Sequence, residues 1–223
     1  MTEKLPKRKT SDVLHTLAKA GIAAVPFGGS ATELLSLVLA PSLEKRRDKW
    51  LEDTANDLKA LETKVEGFKI ENLKENEAFV DVMLHSWKIS MRNHQKEKLE
   101  ALRNAVLNAA LPSAPEEDLQ HMFLTFVDSF TPWHIRILQR LDELEVIYNE
   151  KNLNGFFPEL EDRQDFCSQI FRDLHSCGLT PLLYSTDDIV VYKHQPIEHN
   201  VTHLGKQFLQ FITLSQPLIG GCP

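Results

Sequence analysis

GIAAVPFGGSATELLSLVLAPSL, Gly21 to Leu43, carries a single charge, Glu33, in 23 residues. Basic residues flank it: Lys4, Lys7, Arg8, Lys9 and Lys19 before, Lys45, Arg46, Arg47 and Lys49 after. A membrane-spanning helix needs roughly 20 apolar residues, so length alone admits one. The punctuation argues against it. Pro26, Gly28 and Gly29 interrupt the middle and Pro41 closes the end. Ser30-Ala-Thr-Glu33 has the spacing of a capping box, in which serine and glutamate satisfy each other's free amides at a helix start. The stretch therefore predicts two apolar helical arms of about 10 to 15 residues around a PFGGS turn. A ten-residue arm rises about 15 Å, half of a bilayer core of about 30 Å, so neither arm spans alone. The hairpin is either part of a soluble core or dips into one leaflet. Ile22, Phe27, Leu34, Leu35, Val38, Leu39, Lys45, Arg46, Arg47 and Lys49 are the residues that would then meet a membrane or a partner.

Charge is unevenly distributed around this stretch. Residues 1–50 hold nine Lys/Arg and five Asp/Glu, a net +4, whereas the remaining residues hold 16 and 27, a net −11. This asymmetry suits an anionic partner at the N-terminal end and a body that repels one. Hydrophobic residues make up 42% of the 223, enough for a substantial core in one large or two small domains. Cys167, Cys177 and Cys222 are scattered, so no disulfide framework is implied and a reducing cytoplasm fits. No small-residue cleavage site follows a clean apolar core, so no signal peptide is expected. The expected location is the cytoplasm, peripheral to the inner membrane if the hairpin engages lipid.

Outward from the hairpin, residues 1–9 read as a disordered tail. A first arm starts near Thr10 or Ser11, with Val13, Leu14, Leu17, Ala18 and Ile22 at helical spacing. Pro41 suits the first turn of a third helix. There Leu51, Leu58 and Val65, and Thr54, Leu61 and Phe68, repeat every seven residues as one packing stripe. Gly67 and ENLKENE mark a bend. A fourth helix is expected from Asn76 to Leu111, burying Phe79, Val80, Met83, Trp87, Met91, Leu99, Leu102 and Val106. Together these predict a helical bundle over residues 10–111.

LPSAPEED, Leu111 to Asp118, reads as a linker, and residues 112–223 as a second domain. Three helices follow, the second capped by Thr131 with Pro132 at its first position. LTPLLYS and IVVYKHQ then read as strands around Thr186-Asp187-Asp188, and Thr202 caps a closing helix. The fold class is mainly α, an N-terminal helical bundle with an apolar hairpin plus a winged-helix-like domain with one short β-hairpin. FTPWHIRILQRLDE, LHSCGLT and VTHLGKQFLQFI resemble the second helix, the turn into the wing and the closing helix of winged-helix proteins. More narrowly, residues 99–213 resemble the C-terminal part of the bacterial α-helical abortive-infection-associated (Abi-alpha type) family, which ends in a similar T-x-x-G-K-x-F. The resemblance implies phage defence or envelope-linked toxicity, and no chemistry.

A winged helix invites a DNA-binding reading. Yet the candidate recognition helix, Glu161 to Cys177, carries Arg163 and Arg172 against Glu161, Asp162, Asp165 and Asp173. That net −2 is the wrong sign for phosphates. His194, His199 and His203, or Cys167, His175 and Cys177, lack a zinc spacing and read as surface histidines and core thiols. Glu62-Thr-Lys64 echoes a nuclease E-x-K but lies in a helix. Arg8 and His15 have the R-x6-H spacing of helical ribonucleases. Trp50 and Trp87 sit at apolar helical positions and read as core before interfacial anchors. The expectation is a non-enzymatic interaction or effector module, without catalytic, cofactor or metal residues. Its partner is a protein or an anionic membrane surface. The alternatives are a DNA-binding regulator and a helical ribonuclease.

Overall fold

Helix α1 runs unbroken from Gly29 to Lys64, 36 residues and about 54 Å at 1.5 Å per residue. The structure, a computed structural model, describes residues 29–144, 157–160, 162–185, 188–191 and 199–214. The expected first arm, with Ile22 and Phe27, lies outside the described residues, as does the tail at 1–9. Two expectations for α1 are corrected. Ser30 is already helical, and Pro41 neither ends one helix nor starts another. Without an amide proton, Pro41 leaves the Leu37 carbonyl without its ordinary helical donor, and the helix continues past this local loss. In the second half of α1 Thr54, Leu58 and Leu61 are buried, while Leu51 in that half and Val65 just after it, expected beside them, are half-buried.

The chain divides into two compact units, residues 1–52 and 53–223. The second unit is mainly helical. After α1 the chain turns at Gly67, whose φ of +80° is a left-handed conformation that favours glycine, and passes through a 3-10 turn, Ile70–Glu75. Helices α2 (Glu77–Arg92) and α3 (Lys96–Ala109) replace the single helix expected from Asn76 to Leu111. Asn76 caps α2 by accepting from the Phe79 amide, and Asn93 donates to the Ile89 carbonyl at its other end. The short break lets α3 fold back onto α2. The buried side of α2 is Phe79, Val82, Ser86, Ile89 and Ser90. Val80, expected inside, is exposed, and Met83, Trp87 and Met91 are half-buried. Two small serines one turn apart belong to the buried face instead of the larger residues. Helix α3 buries Ala101, Leu102, Asn104, Ala105, Val106, Leu107 and Ala109, covering most of its circumference, as a core helix does.

Helices α4 (Glu117–Ser129), α5 (Pro132–Glu143), α6 (Gln164–Ser176) and α7 (His203–Ile212) complete the body. Thr131 and Thr202 cap α5 and α7 where the sequence placed caps. Strands β1 (Leu182–Ser185) and β2 (Asp188–Val191) pair antiparallel, Leu182 opposite Val191. Helix α3 packs on both α4 and α7, so the expected boundary at 111/112 falls inside the second unit. Phe123, Phe208 and Phe211 are almost wholly buried, with ring centroids 5.5 to 5.7 Å from Phe123. Gly205 lets α7 approach the α6 exit closely. A Cβ there would collide with the Leu179 carbonyl oxygen and lie 2.6 Å from Val201 Cγ1.

The helix carbonyl ends are closed by side chains and turns. Asn108 Nδ2 lies 2.8 to 3.0 Å from the Gln210, Phe211 and Thr213 carbonyls, and Asn104 donates to Ile212 O, all at the end of α7. Asn200, buried, donates to Leu141 O and Leu144 O at the end of α5. Lys98 Nζ donates to Asp128 O at the end of α4. Helix α6 ends in a Schellman turn: Leu179 N–H donates to Leu174 O and Gly178 N–H to His175 O, with Gly178 at φ +71°. Orphan carbonyls at helix ends are otherwise costly to bury.

Candidate functional site

Of the residues expected to touch a membrane or partner, eight lie on α1. Positions 34, 35, 38 and 39 are helical, and their side chains are outside the description. Lys45, Arg46 and Lys49 are exposed. Arg47 is half-buried and pairs with Asp48 at 2.7 Å. A residue turns about 100° in an α-helix, so positions 34, 35, 38, 39, 45, 46 and 49 fall within an arc of about 140°. The acidic positions 33, 44 and 48 fall outside that arc. These seven apolar and basic positions therefore share one side of one helix, the apolar ones nearer its N-terminus, whereas positions 37, 43 and 47 fall outside the arc. From position 39 to 45 the helix rises about 9 Å. No described helix is long and apolar enough to cross a membrane. Trp50 is buried.

A second constellation stands on α2 and α4, which pack together. Arg92 donates to Asp128 Oδ2 at 2.8 Å. The His85 and His121 rings lie 5.9 Å apart and tilted by 37°. Donor atoms of Asp81, Glu117 and His121 all lie within 4.8 Å of one another. Each pairing, 81 with 117, 85 with 121 and 92 with 128, joins residues 36 apart. The two helices therefore run parallel, with polar side chains facing in successive layers. Asp81 and Glu117 are exposed, while His85 and His121 are half-buried. Burial and, next, the neighbouring His121 imidazole push the His85 pKa down.

The candidate recognition helix, whose charge already spoke against DNA, has two cations, Arg163 and Arg172, and both are engaged locally. The Arg163 guanidinium lies over the Phe166 ring at 4.1 Å. Arg172 donates to Gln169 Oε1, and Gln169 donates to Asp173 Oδ1. Asp162 and Asp165 are exposed. Among the described residues, Cys167, His175 and Cys177 do not bring their donor atoms together, and His199 and His203 belong to no such group. His199 is outside α7, which begins at His203, so the two share no helix face. Both are exposed, and His194 lies outside the described residues. Cys167 is buried, and its burial pushes the thiol up to about 11, far from reactive. His175 Nδ1 sits 3.1 Å from Thr180 O. In the E-x-K triplet, Glu62 Oε1 accepts from the Ile70 amide at 3.2 Å, closing the turn after α1. Arg8 and His15 lie outside the described residues.

The α2–α4 layers were missed by the sequence reading. The available signal was Asp-x3-His at 81–85 and Glu-x3-His at 117–121, each placing a carboxylate and an imidazole one turn apart. Neither spacing means much until the two helices are known to lie side by side in register. Comparison of the chain with protein-family models, with curated proteins and with solved structures finds no match.

Proposed function

We propose that the chain is a non-enzymatic interaction module that engages an anionic membrane surface through the N-terminal half of α1. The observation that carries this reading is the shared arc of apolar positions 34, 35, 38 and 39 with the exposed Lys45, Arg46 and Lys49. An obliquely inserted helix would place its apolar end in one leaflet and its basic turn at the headgroups. The rise of about 15 Å over residues 29–39 matches one leaflet of a core of about 30 Å. Each Lys or Arg near an anionic surface contributes about 1 kcal/mol. Long basic side chains also reach outward to the interface while their stems stay apolar.

The acidic body, including a second half of winged-helix-like element order, would stay in solution and meet a protein partner. The resemblance of residues 99–213 to the Abi-alpha type attaches this reading to bacterial phage defence. The acidic, internally engaged α6 speaks against DNA reading by that half, and the Arg8–His15 spacing behind the ribonuclease alternative lies outside the described residues.

Liposome flotation tests the proposal. The full chain should float with vesicles rich in anionic phospholipid and stay down with neutral ones. A variant carrying Lys45→Gln, Arg46→Gln, Arg47→Gln and Lys49→Gln should lose most of that binding. Absence of anionic-lipid binding, or binding unchanged in the variant, overturns the membrane reading and leaves α1 as a protein-contact helix.

A further inference from the structure

We propose that Asp81, Glu117 and His121, with His85 beside them, form a binding site for one divalent transition-metal ion of the zinc class. The chemistry of the donors supports this choice. Carboxylate oxygen and imidazole nitrogen together suit zinc, cobalt and nickel, whereas magnesium and calcium take oxygen ligands almost exclusively. The geometry supports it independently. Two helices that pack in parallel register each present a carboxylate and, one turn later, an imidazole, and three of the four donor groups already lie within 4.8 Å of one another. Around a tetrahedral ion with bonds of about 2.0–2.2 Å, neighbouring donors stand roughly 3.4 Å apart. Exposed carboxylates and half-buried imidazoles need only small side-chain rotations to reach that spacing.

A solvated coincidence of surface acids is the competing explanation, and two features weigh against it. The Asp81 and Glu117 carboxylates lie within 4.8 Å of each other between two packed helices, and among the described residues neither carboxylate has a hydrogen bond or ion pair. The next polar layer along the same two helices, Arg92 with Asp128, is neutralised by an ion pair at 2.8 Å. A cation between Asp81 and Glu117 would complete the same pattern. Three protein donors leave a fourth position for the His85 imidazole, whose ring lies 5.9 Å from that of His121, or for water. With His85 bound the site would be a closed staple between α2 and α4. With water bound it would be an open site of the catalytic type.

The test uses the full chain, stripped with a chelator and dialysed. Equilibrium dialysis against zinc at neutral pH should retain one ion per chain at low micromolar free metal, with a rise in melting temperature. Cobalt should give the intense visible absorption of a four-coordinate site, and a millimolar excess of magnesium should displace neither. His121→Ala removes a ligand and should weaken zinc binding by more than the roughly 10–100-fold that losing a ligand's outer partner costs. The paired Asp81→Asn and Glu117→Gln variant should weaken it comparably while melting no lower than wild type without metal, which keeps the test valid if His121→Ala folds poorly. His203→Ala, on an exposed histidine elsewhere, should bind as wild type does. No retained zinc, or retention undiminished by the Asp81/Glu117 variant, overturns the site.

Discussion

His134 combines burial, hydrogen bonding and charge in one side chain. It is 6% exposed, its ring stacks on Phe130 at 4.7 Å, and its two nitrogens face different groups. The Thr131 amide donates to Nδ1 at 3.2 Å, so that nitrogen is the acceptor and the proton belongs on Nε2. Nε2–H then donates to Asp173 Oδ2 at 3.2 Å, joining α5 to α6. Burial pushes the pKa below its ordinary value of 6.5, and the Asp173 hydrogen bond and charge only partly oppose it. Protonation would also take away the acceptor that Thr131 uses. The unfolded chain thus binds a proton at a higher pH than the folded one. Stability from this group is fully present above about pH 6.5 and is lost as pH falls through the folded value. Urea unfolding should therefore show a lower free energy at pH 5.5 than at pH 7.5. His85, whose pKa is also lowered, adds a slope of the same sign. His134→Gln keeps a donor and an acceptor but does not titrate. It should cost roughly 1–2 kcal/mol at pH 7.5 and flatten the slope. An unchanged slope in that variant would assign the pH dependence elsewhere.

At the scale of elements, the readable signals were caps and apolar periods, and the unreadable ones were relations between elements. Thr131-Pro132, Thr202 and Gly178 act as sequence punctuation because their effects are local. The break at Asn93 to Gln95 carries neither glycine nor proline, and only the packing of α3 back onto α2 reveals it. Ser86 and Ser90 were passed over because burial of a serine depends on what lies opposite. The Asp81–Glu117–His121 group needs the register of two helices 36 residues apart, which no window of sequence contains. Pro41 is the reverse case, a strong local signal that the helix overrides. An interior proline costs about 3 kcal/mol relative to alanine. Pro41→Ala should therefore strengthen α1, seen as slower amide hydrogen exchange over residues 37–45. Had Pro41 begun a separate helix, where its missing amide costs nothing, the substitution would leave exchange there unchanged or faster.

The whole molecule pairs a basic first 50 residues, net +4, with an acidic remainder, net −11, and its two compact units meet in sequence close to that change of sign. Within the second unit, α3 is bound to the elements after the Leu111–Asp118 segment by more than apolar contact. Asn104 and Asn108 close the carbonyl end of α7, Lys98 closes that of α4, and Glu97 pairs with Arg136 of α5. Ala101, Leu102, Ala105, Val106 and Leu107 are at most 4% exposed. A fragment cut at the linker, residues 112–223, loses all of this and bares the face of α7 that α3 covers. Fully burying a leucine or valine side chain is worth about 1.5–3 kcal/mol, so Leu102, Val106 and Leu107 alone approach the 5–15 kcal/mol that holds a typical domain together. We expect residues 112–223 to lack a cooperative thermal transition and near-ultraviolet dichroism, and residues 53–223 to retain both. In the full chain, Asn108→Ala should lower stability by about 1 kcal/mol, because the part-buried Phe211 and Thr213 carbonyls lose their donor. Asn108→Asp should cost more, since a carboxylate would face the same carbonyl oxygens. A fragment 112–223 that melts as sharply and as high as the full chain would show that α3 is an accessory and that the linker is a true domain boundary.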